Sequence, residues 1–321
     1  MDHKVLLKSK APALVFVALI ILFGVISSLL SGCSTQTLAN TGGRFKVVAT
    51  TTMLFDLVAA IGGNQIEATG LMGPGIDPHL YQASAGDVTK MLKADVVVYN
   101  GLRLEGKMGD EFAYLSEQGK FVICAEDGVD SAKLLADENN PDIYDPHIWF
   151  DVSIWKDVAG HVAACLSKAD PAGTGVYSSN LEKYLAELDE LDQYIRERVE
   201  ELPEQQRVLV TAHDAFRYFG VAYKVKVMGL QGVSTDAEAG TADVSNLAEY
   251  IARNRIKAIF VESSVPPKNI EALRDAVEAR GFAVKIGGQL YSDSLGDEAS
   301  GHNTYILTLK ANIDAIANAL K

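Results

Sequence analysis

From Thr174 to Leu202 the chain carries one unbroken helical period, and that run limits the folds open to everything around it. Tyr177, Leu181, Tyr184, Leu185, Leu188, Leu191, Ile195 and Val199 recur at intervals of three and four, which places them on one helical face. At 1.5 Å per residue such a helix runs about 40 Å. Its outward positions are rich in Glu and Asp, and Pro203 stops it. A helix of this length either joins a coiled coil or braces two bodies, and the sequence on its two sides favours the brace.

Both flanks alternate apolar strands with amphipathic helices. In the first, strands are expected at 45–50, 66–71, 94–99 and 121–125. Helices are expected at 53–61, from Ser84 onward, at about 104–118 and from Asp151 to about Ser167. Gly62-Gly63 ends the first of these, and Ser84 with Asp87 three residues later forms a capping box. A loop rich in Asp, Asn and Pro covers about 127–147. Behind the long helix the pattern restarts, with strands at 207–211, 224–228, 258–262 and 282–286. Helices there are expected near 215–220, from Thr241, from Pro266-Pro267 to Arg280, and at about 304–320.

Alternation of this kind implies mainly parallel sheets flanked by helices. A faint repeat relates the halves: Ala85-Gly86-Asp87-Val88 and Thr241-Ala242-Asp243-Val244 each open a helix that leads into an apolar strand. The expected fold class is therefore α/β, with two similar lobes, 45–172 and 204–321, joined by one long helix over 173–203.

The N-terminus is of another kind. Lys4, Lys8 and Lys10 precede or begin a run that is almost entirely apolar from Ala11 to Leu30, followed by Ser31-Gly32-Cys33. A basic region, an apolar core and small residues before the cut describe a secretory signal, and Ser31-Gly32-Cys33 resembles a bacterial lipobox. Residues 1–32 then form a lipoprotein signal peptide, Cys33 becomes the lipidated first residue, and 33–44 is a flexible tether. An uncleaved membrane anchor is the alternative, since the run nears the roughly 20 residues that span a bilayer. Either way the remainder is expected outside the cytoplasm, held at the cell membrane.

The chain has a formal net charge of −13. That balance argues against a nucleic-acid partner and concentrates cations near the surface. Beyond Cys33, Cys124 lies in an apolar strand and Cys165 on an apolar helical face, so both read as small core residues. The sequence does not decide whether they pair.

Three histidines share one setting. His79 follows Gly73-Pro74-Gly75-Ile76-Asp77-Pro78, His147 follows Asp145-Pro146, and His213 closely follows the strand Leu209-Val210-Thr211. Each is expected at or just beyond the carboxyl end of a strand, where α/β sheets place ligands. Imidazole suits Zn, Fe and Ni, and the wide spacing suits separate loops converging in a cleft rather than a zinc finger. His161 lies inside a helix one turn after Asp157, and reads as a structural residue paired with it. His302, in a late loop, reads as a cap or a solvent-facing residue. A fourth ligand has two candidates: Asp293, in the loop after Gly287-Gly288, and Glu262, at the end of the strand 258–262. The residues alone do not rank them.

Taken together, these stretches resemble the metal-binding solute-binding proteins of bacterial ABC transporters for zinc and manganese. The similar segments are Gly70-Leu71-Met72-Gly73-Pro74-Gly75-Ile76-Asp77-Pro78-His79, Asn100-Gly101-Leu102-Arg103-Leu104-Glu105, Asp145-Pro146-His147-Ile148-Trp149-Phe150-Asp151, Thr211-Ala212-His213-Asp214-Ala215-Phe216, Glu262-Ser263-Ser264, and Gly287-Gly288 through Ser292-Asp293. The resemblance covers essentially all of 45–321. It implies His79, His147, His213 and Asp293 as the metal ligands, with Glu262 beside the site as a residue that orients or hydrogen bonds. It implies an ion held between two α/β lobes, a single linking helix that limits hinge motion, and delivery to a permease driven by a cytoplasmic ATPase. The protein is expected to be a monomer and not an enzyme.

The resemblance leaves the metal open. Three imidazoles and one carboxylate suit tetrahedral Zn2+, and a bidentate Asp293 would make Mn2+ acceptable. Many manganese receptors of this family carry Glu where this chain has His213. Dedicated zinc receptors commonly add a His-rich loop, and the acidic loop from Glu126 to Asp142 has no His. The reading favours Zn2+ over Mn2+, with Fe2+ behind. Two other functions compete: a surface adhesin, a label given to some relatives, and a zinc hydrolase. The hydrolase reading is weakened by a fourth protein ligand that closes the metal and by the lack of an H-E-x-x-H motif. A dinucleotide-binding reading lacks G-x-G-x-x-G after the first strand, where Thr50-Thr51-Thr52 stands instead.

Overall fold

The computed structural model describes residues 43–137 and 141–321. The expected signal peptide, Cys33 and the tether up to residue 42 lie outside the described residues. In the first half, β1 (Phe45–Ala49), β2 (Ile66–Gly70), β3 (Val96–Tyr99) and β4 (Phe121–Cys124) form a four-stranded sheet in the order β2-β1-β3-β4. Every pairing is parallel, with Val47 opposite both Ala68 and Val96. Helices α1 (Thr52–Gly62), α2 (Ala85–Lys93) and α3 (Gly109–Glu117) connect the strands, and α4 (Val152–Ala169) follows. The long helix is α5, Thr174–Glu200.

The second half holds two parallel pairs, β5 (Val208–His213) with β6 (Lys226–Gln231) and β7 (Ala258–Glu262) with β8 (Lys285–Leu290). Strand β5 lies against β7. Helices α6 (Arg217–Tyr223), α7 (Thr241–Asn254), α8 (Lys268–Glu278) and α9 (Tyr305–Leu320) complete it. The α/β class with parallel strands, flanking helices and one long helix is as expected. None of the described helices is long and apolar enough to cross a membrane.

The two-residue period of the strands decides which core each residue joins. Val47, Ala49, Val96 and Val98 face a central core, whereas Val48 and Val97 face a smaller one with Met91, Met108 and Phe112. In the second half Leu209, Ala258 and Phe260 join the same central core, while Val208, Val210 and Ile259 face Leu247, Ile251 and Leu273. The central core is thus shared by both halves, and α5 runs through it with Tyr177, Tyr184, Leu188, Leu191, Ile195 and Val199 buried. It packs on α1, α4 and α9, so the apolar face read from the sequence braces elements from both ends of the chain.

Caps begin the helices where the sequence places them. Thr51 accepts from Leu54 N, Ser84 and Asp87 form the reciprocal capping box, and Asp151 accepts from Ser153 N. Two elements are displaced. Helix α3 starts at Gly109, not near 104, because the buried Glu105 carboxylate gathers Asn100 N at 2.8 Å, Gly101 N at 3.3 Å and Thr50 Oγ1 at 2.6 Å. That carboxylate holds the chain in turns, with Gly101, Leu102 and Arg103 at positive φ. Strand β8 runs through Gly287-Gly288 instead of ending before them. A Cβ on Gly287 would meet Phe260 at 2.7 Å and Ala258 at 3.0 Å, so glycine is what lets β8 lie against β7 there.

One side-chain expectation is also corrected, and one left open is decided. Asp157 is engaged by Lys133 at 2.5 Å rather than by His161, whose Nε2 lies 3.7 Å from Cys165 Sγ. Cys124 and Cys165 are both free thiols.

Candidate metal site

Four segments bring their side chains to one point. His79 comes from the loop between β2 and α2, and His147 from the turn just before the 3-10 helix Ile148–Phe150. His213 is the last residue of β5, and Asp293 lies three residues beyond β8. All four are buried, His147 and His213 completely. One ligand atom from each falls within 4.8 Å of the others.

The spacing has the scale of a coordination shell. His79 Nε2 is 3.3 Å from His147 Nε2, His147 Nε2 is 3.4 Å from Asp293 Oδ1, and His213 Nε2 is 3.2 Å from Asp293 Oδ2. A tetrahedron built on metal–ligand bonds of about 2.0–2.1 Å has edges of about 3.3 Å. His213 Nε2 and Asp293 Oδ1 have no hydrogen-bond partner among the described residues, although both are buried. Buried polar atoms are normally satisfied. A divalent ion at their meeting point would satisfy them, so the donor set fits a metal.

The far side of two imidazoles is fixed by carboxylates. His147 Nδ1 lies 2.7 Å from Asp145 Oδ1, and His213 Nδ1 lies 2.5 Å from Glu262 Oε2. Glu262 Oε1 also accepts from the backbone N–H of His213 at 2.8 Å. A carboxylate on Nδ1 keeps the proton there and turns the Nε2 lone pair inward, as metal-ligating histidines require. Glu262 therefore stands behind His213, and Asp293 in front of it. Asp77 and Asp145 each accept the backbone N–H of the histidine two residues on, at 2.8 and 3.0 Å. The sequence repeats Asp-Pro-His at both places, a signal that could have identified Asp145 as the partner of His147.

Charge inside the site is uneven. Burial drives the His79 imidazole down to about 3, so it is neutral at physiological pH. Burial also acts against charge on His147, but Asp145 and then Asp293 outweigh it and hold the imidazole up at about 9. His213 is raised well above its usual range by Asp293 and Glu262 despite burial. Burial opposes ionisation of Asp293, yet His213 and His147 hold its carboxyl well below the ordinary range. The neighbouring carboxylates thus favour charge on His147 and His213, whereas burial disfavours it on His79.

The other two histidines among the described residues are elsewhere. His161 lies along α4 beside Cys165, and His302 Nδ1 is 3.2 Å from Tyr291 Oη in a part-exposed loop.

Three imidazoles and a carboxylate, buried where two α/β halves meet around one bracing helix, define a metal receptor of the solute-binding class. Residues 47–319 match the family described as zinc-uptake complex component A, periplasmic, and the chain belongs to that family. It is 46% identical over 278 residues to the zinc-binding protein TroA of Treponema pallidum, an alignment covering 87% of this chain and 89% of that protein. It is 43% identical over 294 residues to the manganese-binding lipoprotein MntA of Bacillus subtilis, covering 91% and 95%. The solved structure of the periplasmic zinc-binding protein TroA superposes with a TM-score of 0.84, covering 87% of this chain and 99% of that one.

Proposed function

We propose that the protein is the extracytoplasmic receptor of a metal-importing ABC transporter, and that His79, His147, His213 and Asp293 together bind its cargo. The observation that carries this reading is the convergence of four buried, inward-facing donor atoms from four separated segments. The cargo is a divalent transition ion. Zn2+ is favoured over Mn2+, with Fe2+ behind, because three imidazoles and one carboxylate match tetrahedral Zn2+ most closely. Relatives of nearly equal identity carry opposite names, one zinc-binding and one manganese-binding, so likeness alone does not choose.

The layout that accompanies this reading is a signal peptide at 1–32, a lipid on Cys33, a tether to residue 44, lobes at 45–172 and 204–321, and a linking helix at 173–203. The lipoprotein name of the Bacillus relative supports the anchor. The receptor would act as a monomer and pass its ion to a permease powered by a cytoplasmic ATPase.

The family is one of solute-binding proteins, not enzymes. Capture rests on the Nε2 atoms of three oriented imidazoles and on the Asp293 carboxylate, and burial excludes water from them. The decisive experiment strips the protein with a chelator, reloads it with Zn2+ and Mn2+ in direct competition, and counts bound metal. One ion per chain is expected in the wild type, with strongly weakened binding in H79A, H147A, H213A and D293A. H161A should bind as the wild type does. Wild-type affinity in H213A would break the reading.

A further inference from the structure

Asp293 belongs by sequence to the second half, yet its loop is held from the first. Trp149 Nε1 donates to Ser292 O at 3.0 Å, Gly75 N donates to Ser294 Oγ at 2.8 Å, and Leu295 N donates to Thr52 Oγ1 at 2.8 Å. The residues on either side of Asp293 are each tied across the cleft. Within its own half the carboxylate meets His213 Nε2 at 3.2 Å and Ser264 Oγ at 3.4 Å, and Ser264 Oγ also lies 3.0 Å from Ser292 Oγ.

Trp149 is the most deeply buried of these three donors. It is 1% exposed and sits two residues after His147, whose ring it meets edge-on at 5.2 Å. Its own carbonyl accepts from Tyr305 Oη at 2.6 Å. This bond anchors the Trp149 backbone, packing of the buried ring sets the direction of the indole N–H, and that N–H is bonded to the loop carrying Asp293. Both carboxylate oxygens consequently face the site, Oδ1 toward His147 and Oδ2 toward His213, at 3.4 and 3.2 Å.

We propose that Trp149, supported by Ser294 and Thr52, is a positioning residue that sets the orientation of Asp293 and through it the metal preference. A carboxylate held with both oxygens inward offers a fifth ligand atom, which Mn2+ accepts. A carboxylate free to swing offers one oxygen, which suits four-coordinate Zn2+. The inference rests on the ligand set proposed above, and takes the groups that orient a ligand to matter nearly as much as the ligand itself.

W149F tests it: an aromatic ring remains, but the indole N–H is deleted together with the pyrrole ring, and the cavity left at this buried position registers in the melting temperature. Affinities for Zn2+ and Mn2+ would be measured by chelator competition at fixed pH, together with the melting temperature. Mn2+ affinity should fall about 10-fold or more, the range seen when such supporting bonds are lost. Zn2+ affinity should fall clearly less, so the ratio moves toward Zn2+. S294A, which spares the indole, should move the ratio in the same direction and decides the matter if W149F does not fold. An unchanged ratio in S294A and in a folded W149F overturns the proposal. So does an equal loss for both ions accompanied by a lower melting temperature, which is what a purely structural role would give. H79A separates the two levels. Wild-type binding of both ions in H79A removes the ligand set itself, whereas loss of both ions in H79A with an unmoved ratio in W149F removes only the positioning role of Trp149.

Discussion

Asp145 grips His147 twice with one oxygen, accepting from the backbone N–H at 3.0 Å and meeting ring Nδ1 at 2.7 Å. The first bond sets the turn and the second sets the tautomer. Together they leave Nε2 as the only ring atom that can face an ion. D145N keeps the shape but presents a weaker, uncharged partner. Metal affinity should fall about 10- to 100-fold with little change in far-ultraviolet circular dichroism. Affinity equal to wild type in a competition titration would show that His147 needs no such partner.

Metal uptake should expel protons. At pH 7.5 His79, driven down to about 3, has none to lose. His147, held at about 9, and His213, raised well above its usual range, are both charged there and each must give up its Nε2 proton to bind. Release of about one to two protons per ion is expected, and apparent affinity should rise with pH toward 9. Calorimetry in buffers of different ionisation enthalpy measures the number. Zero protons released would mean that the imidazoles are neutral before the metal arrives.

The same protons make the metal-free protein sensitive to base. A histidine whose folded pKa is raised contributes stability that is complete below its unfolded value, near 6.5, and lost as pH rises through the folded one. For His147 that window is about 6.5 to 9. The melting temperature of the stripped protein should therefore fall across it. The loaded protein should not show that fall, since liganded imidazoles carry no titrating proton there. A flat profile in the stripped protein would contradict the charged cluster.

His213 is expected to be the position where the choice of ion is most easily changed. H213E replaces imidazole by carboxylate, which suits Mn2+ better than Zn2+. It also sets a second carboxylate against Glu262, so absolute affinities for both ions should drop. The Zn2+ to Mn2+ ratio, measured by competition at fixed pH, should move toward Mn2+. Movement toward Zn2+, or none, would assign the selectivity to the cleft rather than to this ligand.

Much of this molecule was legible in its sequence because local signals carried it. Apolar runs located the strands, the period from Tyr177 to Val199 located α5, and Asp-Pro-His marked two of the site histidines. Long-range contacts were not legible. Glu262 and Asp293 both lie near a strand end, and only folding shows that one reaches Nδ1 of His213 while the other reaches its Nε2. The resemblance to known receptors ranked them, not their local chemistry. The late start of α3 depends on what Glu105 gathers, including Thr50, 55 residues away. Asp157 beside His161 looked like a pair at helical spacing, but Lys133, from another segment, takes it.

The central core shared by both halves bears on how the receptor is read by its transporter. Swinging the halves apart would expose Leu188, Leu191 and Ile195, which are fully buried, at roughly 25 cal/mol for each Å2 of apolar surface. Full and empty receptors are therefore expected to differ little in outline. A transporter that recognises outline cannot refuse an empty one, and each empty receptor that docks holds the place of a full one. Import through such a system is expected to saturate, then decline, as receptors are made in excess of the metal available to fill them.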